Sequence, residues 1–264
     1  LKVKLTKILG DVILEFPKSS ILDKKDWHYL AYIPWNEKYL NKIPKEFVDF
    51  FKFVFPYLNV RTTDVHTAIC LGFLDKLIKQ FPKENINRRI VAIALILHDS
   101  GWSKLSDQEI ASSLGIKGLK LDKLSTKSKE KHAVEGEKIA RKLLGEEDGD
   151  KNDDDSLVGF EFNPKLTAQE KEIIFRAVRY HDKPDKVVGF GNMVPIEVKL
   201  LVDLDHLWSF THENFWQDIF RKGVEPQEYL QNLDNDLESY FVTDPGKTLA
   251  RKFLFDRKKE VIQL

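Results

Sequence analysis

His98 is followed directly by Asp99 at the end of an unbroken apolar run, Ile90 to Leu97. Such a run is apolar on every face, so a helix built from it belongs at the centre of a fold, with the His-Asp pair at its mouth. Asp205 lies far downstream, on the same helical side as Val198, Leu201 and Val202. A carboxylate on an inward face is costly unless a cation or several donors compensate it. Of the seven histidines, His66, His98, His132 and His181 all fall near helix ends or on faces otherwise lined by apolar or small residues. Imidazole and carboxylate together suit Mn, Fe, Zn or Co, and with Cys70 as the only cysteine there is no thiolate set for a structural zinc. Taken singly, each piece is ordinary: a His-Asp pair is more often a cap or an ion pair, and His181 can serve the C-terminal dipole of its helix. Asp203 and Asp205 are two apart, so a helix cannot aim both at one centre. His28, His206 and His212 receive no direct role; His206 turns from Asp205 and at most reaches a bound substrate.

The elements that must position these groups read as helices from about Thr62 onward. Thr62 or Thr63 caps a helix expected to run to about Gln80, with Val65, Ile69, Phe73, Leu77 and Ile78 inward and His66 in the first turn. Asn85 or Asn87 caps the helix from Arg88 to His98, and Gly101 is read as its stop. A polar loop is expected next, then a helix from about Ser128 to Leu144 carrying His132, Gly136, Ile139 and Leu143 on one face. Thr167-Ala-Gln-Glu170 forms a capping box for a helix ending near His181, before Pro184. Pro195 fits the first turn of the helix that carries Asp205.

Lys plus Arg and Asp plus Glu both number 42 in 264 residues, so the overall field favours neither a nucleic acid polymer nor a membrane surface. No apolar stretch approaches the roughly 20 residues that span a bilayer. The opening Leu-Lys-Val-Lys-Leu does not resemble a signal peptide, and one cysteine fits a reducing compartment; the expectation is a soluble, cytoplasmic protein. Glu146 to Asp155 holds seven acids and reads as solvated chain. Its Asp148, Asp150 and Asn152 imitate the start of a calcium loop, but Asp153 and Gly159 stand where Gly and Glu are required. Lys117 to Lys131 has six lysines against two acids and reads as a solvated loop, with a phosphate-attracting rim as the alternative. The aromatic-rich residues 1 to 55 lack clean periodicity, and are expected to pack over the helical core or cover a site entrance.

In order, Arg61-Thr-Thr-Asp-Val-His66, Ala94-Leu-Ile-Leu-His98-Asp99-Ser-Gly, Lys131-His132-Ala-Val-Glu-Gly, Val178-Arg-Tyr-His181-Asp and Asp203-Leu-Asp205-His-Leu resemble the successive blocks of the HD-domain phosphohydrolase superfamily. The resemblance spans about residues 58 to 215. It implies an all-α helical bundle with a metal site between helices, in which His66, His98, Asp99 and Asp205 hold one metal. His132 and His181 then match the positions that hold a second metal, with Asp99 bridging. Leu204 and His206 depart from the small and basic residues of many members, and Lys104 comes five after Asp99 where some members have a closer Lys. The division expected is an N-terminal extension at 1–55, the HD domain at 56–225 and a C-terminal helical extension at 226–264.

The activity implied is hydrolysis of a small phosphorylated substrate, a nucleotide or another phosphoester, using one or two divalent ions (Mn, Fe, Zn, Co or Mg) and an activated water. No better nucleophile is offered, since Cys70 sits among apolar neighbours and no Gly-x-Ser-x-Gly elbow is present. Asp99 is the central catalytic candidate, and Arg61 and Lys104 are the nearest basic residues for phosphate charge. Two other classes fit the same ligands: a di-iron oxygenase of the HD-domain type, and a non-catalytic module that binds a metal or nucleotide.

Overall fold

In the computed structural model, which describes residues 33–114, 122–146 and 159–263, every regular element is a helix. The order is α1 (Val48–Leu58), α2 (Thr63–Leu71), α3 (Leu74–Ile78), α4 (Arg88–Leu97), α5 (Asp107–Ser112), α6 (Asp122–Leu143), α7 (Ala168–Tyr180), α8 (Pro184–Gly189), α9 (Ile196–Leu207), α10 (His212–Lys222), α11 (Pro226–Tyr240) and α12 (Asp244–Ile262). Short 3₁₀ turns join several of them. No described helix is long and apolar enough to cross a membrane.

The apolar run becomes the axis of the fold. Residues Ile90 to Leu97 of α4 are all buried, and α1, α2, α6, α7 and α9 pack around them. Each Ile, Leu or Val so buried contributes about 1.5–3 kcal/mol relative to exposure. Asn87 caps α4 by accepting a hydrogen bond from Ile90 N, and the Thr167/Glu170 capping box starts α7. One apolar core extends from Tyr39, Phe50 and Phe51 through α4 and α9 to Leu233, Leu237 and Leu254. α1 runs through the 55/56 division expected from the sequence, and α11 and α12 bury apolar faces in that same core.

Several expectations are corrected by packing. The helix foreseen from Thr62 to Gln80 breaks into α2 and α3 at Gly72, where a Cβ would lie 3.1 Å from Ile69 O and 3.5 Å from Lys42 O. Gly101 is not a left-handed stop; it lies in a 3₁₀ turn, Ser100–Lys104, and a Cβ there would collide with the His132 carbonyl and Gly136 N of α6. The expected polar loop holds α5, started by a Ser106/Glu109 capping box. Of the lysine-rich stretch read as a loop, residues 122 to 131 form the first turns of α6. The acidic segment and its calcium-like spacing lie outside the described residues, apart from Glu146 and Gly159. So does most of the 1–55 segment; its described part buries Ile33, Tyr39, Ile43 and Phe47 in the core.

Candidate metal centre

Five helices converge on one cavity. His66 comes from α2, His98 and Asp99 from the end of α4, His132 from α6, His181 from the end of α7 and Asp205 from α9. They form two groups. Side-chain ligand atoms of His66, His98 and Asp205 lie within 4.8 Å of one another, and so do those of Asp99, His132 and His181.

Asp99 joins the two groups by dividing its oxygens. Its Oδ2 lies 3.2 Å from His66 Nδ1 and 3.6 Å from His98 Nε2, while Oδ1 lies 3.5 Å from both His132 Nε2 and His181 Nε2. Asp205 Oδ1 stands 3.1 Å from His66 Nε2 and 3.4 Å from His98 Nε2. Two ligands about 2.1 Å from one ion, at right or tetrahedral angles, lie roughly 3.0–3.4 Å apart, so these spacings suit shared coordination. Hydrogen bonding accounts for them less well. His66 Nε2 and His98 Nε2 are buried beside carboxylate oxygens, yet neither makes a hydrogen bond of acceptable geometry. Buried polar atoms are nearly always satisfied, so these two nitrogens point to a cation.

The surroundings fix how each ring is presented. His98 Nδ1 donates to Leu95 O at 2.6 Å and His181 Nδ1 to Val178 O at 2.7 Å. Each bond holds a proton on Nδ1, so that the ring in its neutral form presents the Nε2 lone pair to the cluster. Trp102 Nε1 donates to Asp99 Oδ1 at 3.0 Å, and the Trp102 ring stacks on His132 at 4.2 Å. Trp208 stacks on His66 at 5.1 Å.

Electrostatics show how strongly the site favours positive charge. Burial alone would raise the Asp99 carboxyl, but the imidazoles of His98, His181 and His66 hold it well below its ordinary range. Asp205 behaves likewise through His66 and His98. Burial disfavours charge on His181 too, yet its hydrogen bond to Asp99 and the Asp205 and Asp99 charges push it up to about 9. His132 goes the other way, lowered to about 3 by burial and by the neighbouring His181 charge. Their Nε2 atoms face each other at 3.0 Å, so one proton serves both. Two ionised carboxylates in a buried cluster call for cationic charge, which protons or divalent ions can supply.

The cavity, about 200 Å³, is lined by these six groups and by residues the sequence did not single out for the site, including Trp102, Lys129, Asp182, Trp208, Gln217 and Arg221. Arg61 lines it as expected, its guanidinium 4.2 Å over the Trp102 ring. Arg61 and Thr62 hold φ values of 55° and 66°, a left-handed conformation that costs a non-glycine residue about 1–2 kcal/mol. Lys104 does not join them; it is exposed at the end of its 3₁₀ turn, away from the residues lining the cavity. Trp102 was detectable in principle, three residues beyond Asp99 on the next turn; Lys129 lies in the lysine-rich stretch whose alternative reading is a phosphate-attracting rim, and nothing local marks Arg221. His206 lines the cavity with Nδ1 donating to Val202 O. Asp203 turns away and accepts from Val242 N and the Thr243 hydroxyl, so only Asp205 of that pair faces the cluster. Compared with protein-family models, with curated proteins and with solved structures, the chain has no significant match in any of the three.

Proposed function

We propose that this chain is a metal-dependent phosphohydrolase of the HD-domain type, acting on a small phosphoester or nucleotide. The observation that supports this reading best is the placement of Asp99, whose two oxygens face two separate histidine groups. A ligand set of four histidines and two aspartates fits one or two ions of Mn, Fe, Zn or Co better than Mg, which prefers oxygen ligands. When bound, such an ion lowers the pKa of water and polarises a phosphoryl oxygen.

The chain's own residues supply the rest. His98 and His181 are held in the tautomer that offers Nε2 to a cation. Trp102 orients Asp99 and stacks with Arg61, whose guanidinium would hold phosphoryl oxygens. The cavity's size favours a small substrate, or the phosphoryl end of a larger one, over a polymer.

The test is release of phosphate or pyrophosphate from a panel of nucleotides and simple phosphoesters with Mn added, comparing wild type with Asp99→Ala. Release by wild type alone is expected. Turnover retained in the variant overturns the assignment of the site. No release from Mn-loaded wild type across the panel overturns the hydrolase. The six ligands would then serve the oxygenase alternative, read as dioxygen uptake by iron-loaded protein, or a non-catalytic metal-binding module.

A further inference from the structure

Two side chains of α10 that have no counterpart among the sequence blocks face the same cavity. Arg221 and Gln217 both line it, 7% and 1% exposed, and each keeps a buried polar atom without a partner among the described residues: Arg221 Nε and Gln217 Oε1. A buried donor and a buried acceptor beside a cavity are rarely left unmatched. Their placement is built. Arg221 Nη2 pairs with Asp218, and the other oxygen of Asp218 accepts from the Tyr229 hydroxyl at 2.6 Å and from Lys222 Nζ at 2.8 Å. This holds the guanidinium from behind. Gln217 is held from the far end, where Nε2 reaches Thr62 Oγ1 at 3.5 Å. Thr62 is one of the two left-handed residues, so that backbone is held at the cavity wall by a contact 155 residues away.

Charge narrows the ligand. The cavity is lined by three basic side chains (Arg61, Lys129, Arg221) and three carboxylates (Asp99, Asp182, Asp205) besides its histidines, so a metal ion held by those histidines leaves a positive excess that an anion balances. Burial disfavours the charge of Arg61 and the neighbouring Arg221 adds to this, an effect that a bound anion relieves.

We infer that Arg221 and Gln217 select the substrate: Arg221, with Arg61, grips a dianionic phosphomonoester, and Gln217 Oε1 accepts a hydrogen bond from a hydroxyl or amine close to that phosphate. This rests on the phosphohydrolase reading for the reaction but not for the binding. A phosphodiester carries one charge fewer and adds a second substituent at phosphorus, so the subsite discriminates against it.

The experiment titrates inorganic phosphate by calorimetry into the full chain loaded with Mn, for wild type, Arg221→Gln and Gln217→Glu. Gln217→Glu leaves the Asp218 pair intact and places negative charge at the subsite, so it remains informative if Arg221→Gln fails to fold. Wild type is expected to bind phosphate, and each variant to bind about tenfold more weakly, the effect of one charge-assisted contact. With an active phosphomonoester, KM should rise more than kcat falls in both variants. Wild-type affinity in Gln217→Glu, or no phosphate binding by Mn-loaded wild type, overturns the subsite. Hydrolysis without such dependence would leave the phosphohydrolase standing and remove only the subsite; dependence without hydrolysis would do the reverse.

Discussion

At the scale of single residues, the site turns on a carboxylate that must serve two neighbourhoods. Asp99 leaves α4 just as its helix tightens into a 3₁₀ turn, and the Trp102 indole one turn on donates a hydrogen bond to Oδ1. His66 and His98 gather at one oxygen, His132 and His181 at the other. If each group holds an ion, His132→Ala and His181→Ala should each lower the bound metal from two equivalents to one, measured by elemental analysis after dialysis. His66→Ala should affect the other group. An unchanged count in both His132 and His181 variants would falsify the two-ion arrangement. Metal affinity should also fall as pH falls, because His181, lifted to about 9, must release its proton before it can act as a ligand.

At the scale of elements, the cluster depends on a close approach of backbones. The 3₁₀ turn after α4 lies directly on α6, and Gly101 has no room for a side chain beside His132 O and Gly136 N. That contact sets the distance between Asp99 and His132. Gly101→Ala should therefore destabilise the protein by about 3 kcal/mol, the upper part of the range for overpacking, and weaken metal binding as well. Denaturant unfolding and metal titration on the same variant check both. Normal stability with intact metal binding would mean that α6 can retreat without cost.

For the whole molecule, stability at low pH should be governed partly by the α10–α11 join. Burial would raise the Asp218 carboxyl, but Lys222 and Arg221 hold it well below the ordinary aspartate value. A carboxyl depressed in the folded state contributes stability above its unfolded pKa, about 3.9, and loses it as pH falls through the folded value. The loss of melting temperature below about pH 4 should thus be shallower in Asp218→Asn, which starts less stable at neutral pH. Parallel curves for wild type and variant would remove Asp218 from the acid response. Bound divalent metal should raise the melting temperature reversibly, since a ligand at one hundred times its Kd adds about 2.7 kcal/mol.

The all-helical class, the caps at Asn87 and Thr167, the burial of α4 and the identities of the six clustered residues were legible in the sequence. Apolar periodicity, capping boxes and His-Asp placement are local signals, carried by residues a few positions apart. The break at Gly72, the crowding at Gly101 and the cavity wall were not, because each depends on segments far apart in the chain. Nearness in sequence suggested Lys104 as a phosphate-holding group, but the turn carries it outward; Lys129 and Arg221 reach the cavity from helices whose docking decides what they face. The chain thus determined which atoms are available as ligands. Only the tertiary structure decided how Asp99 shares its oxygens and which cations stand around the cavity, because packing between distant helices sets those distances.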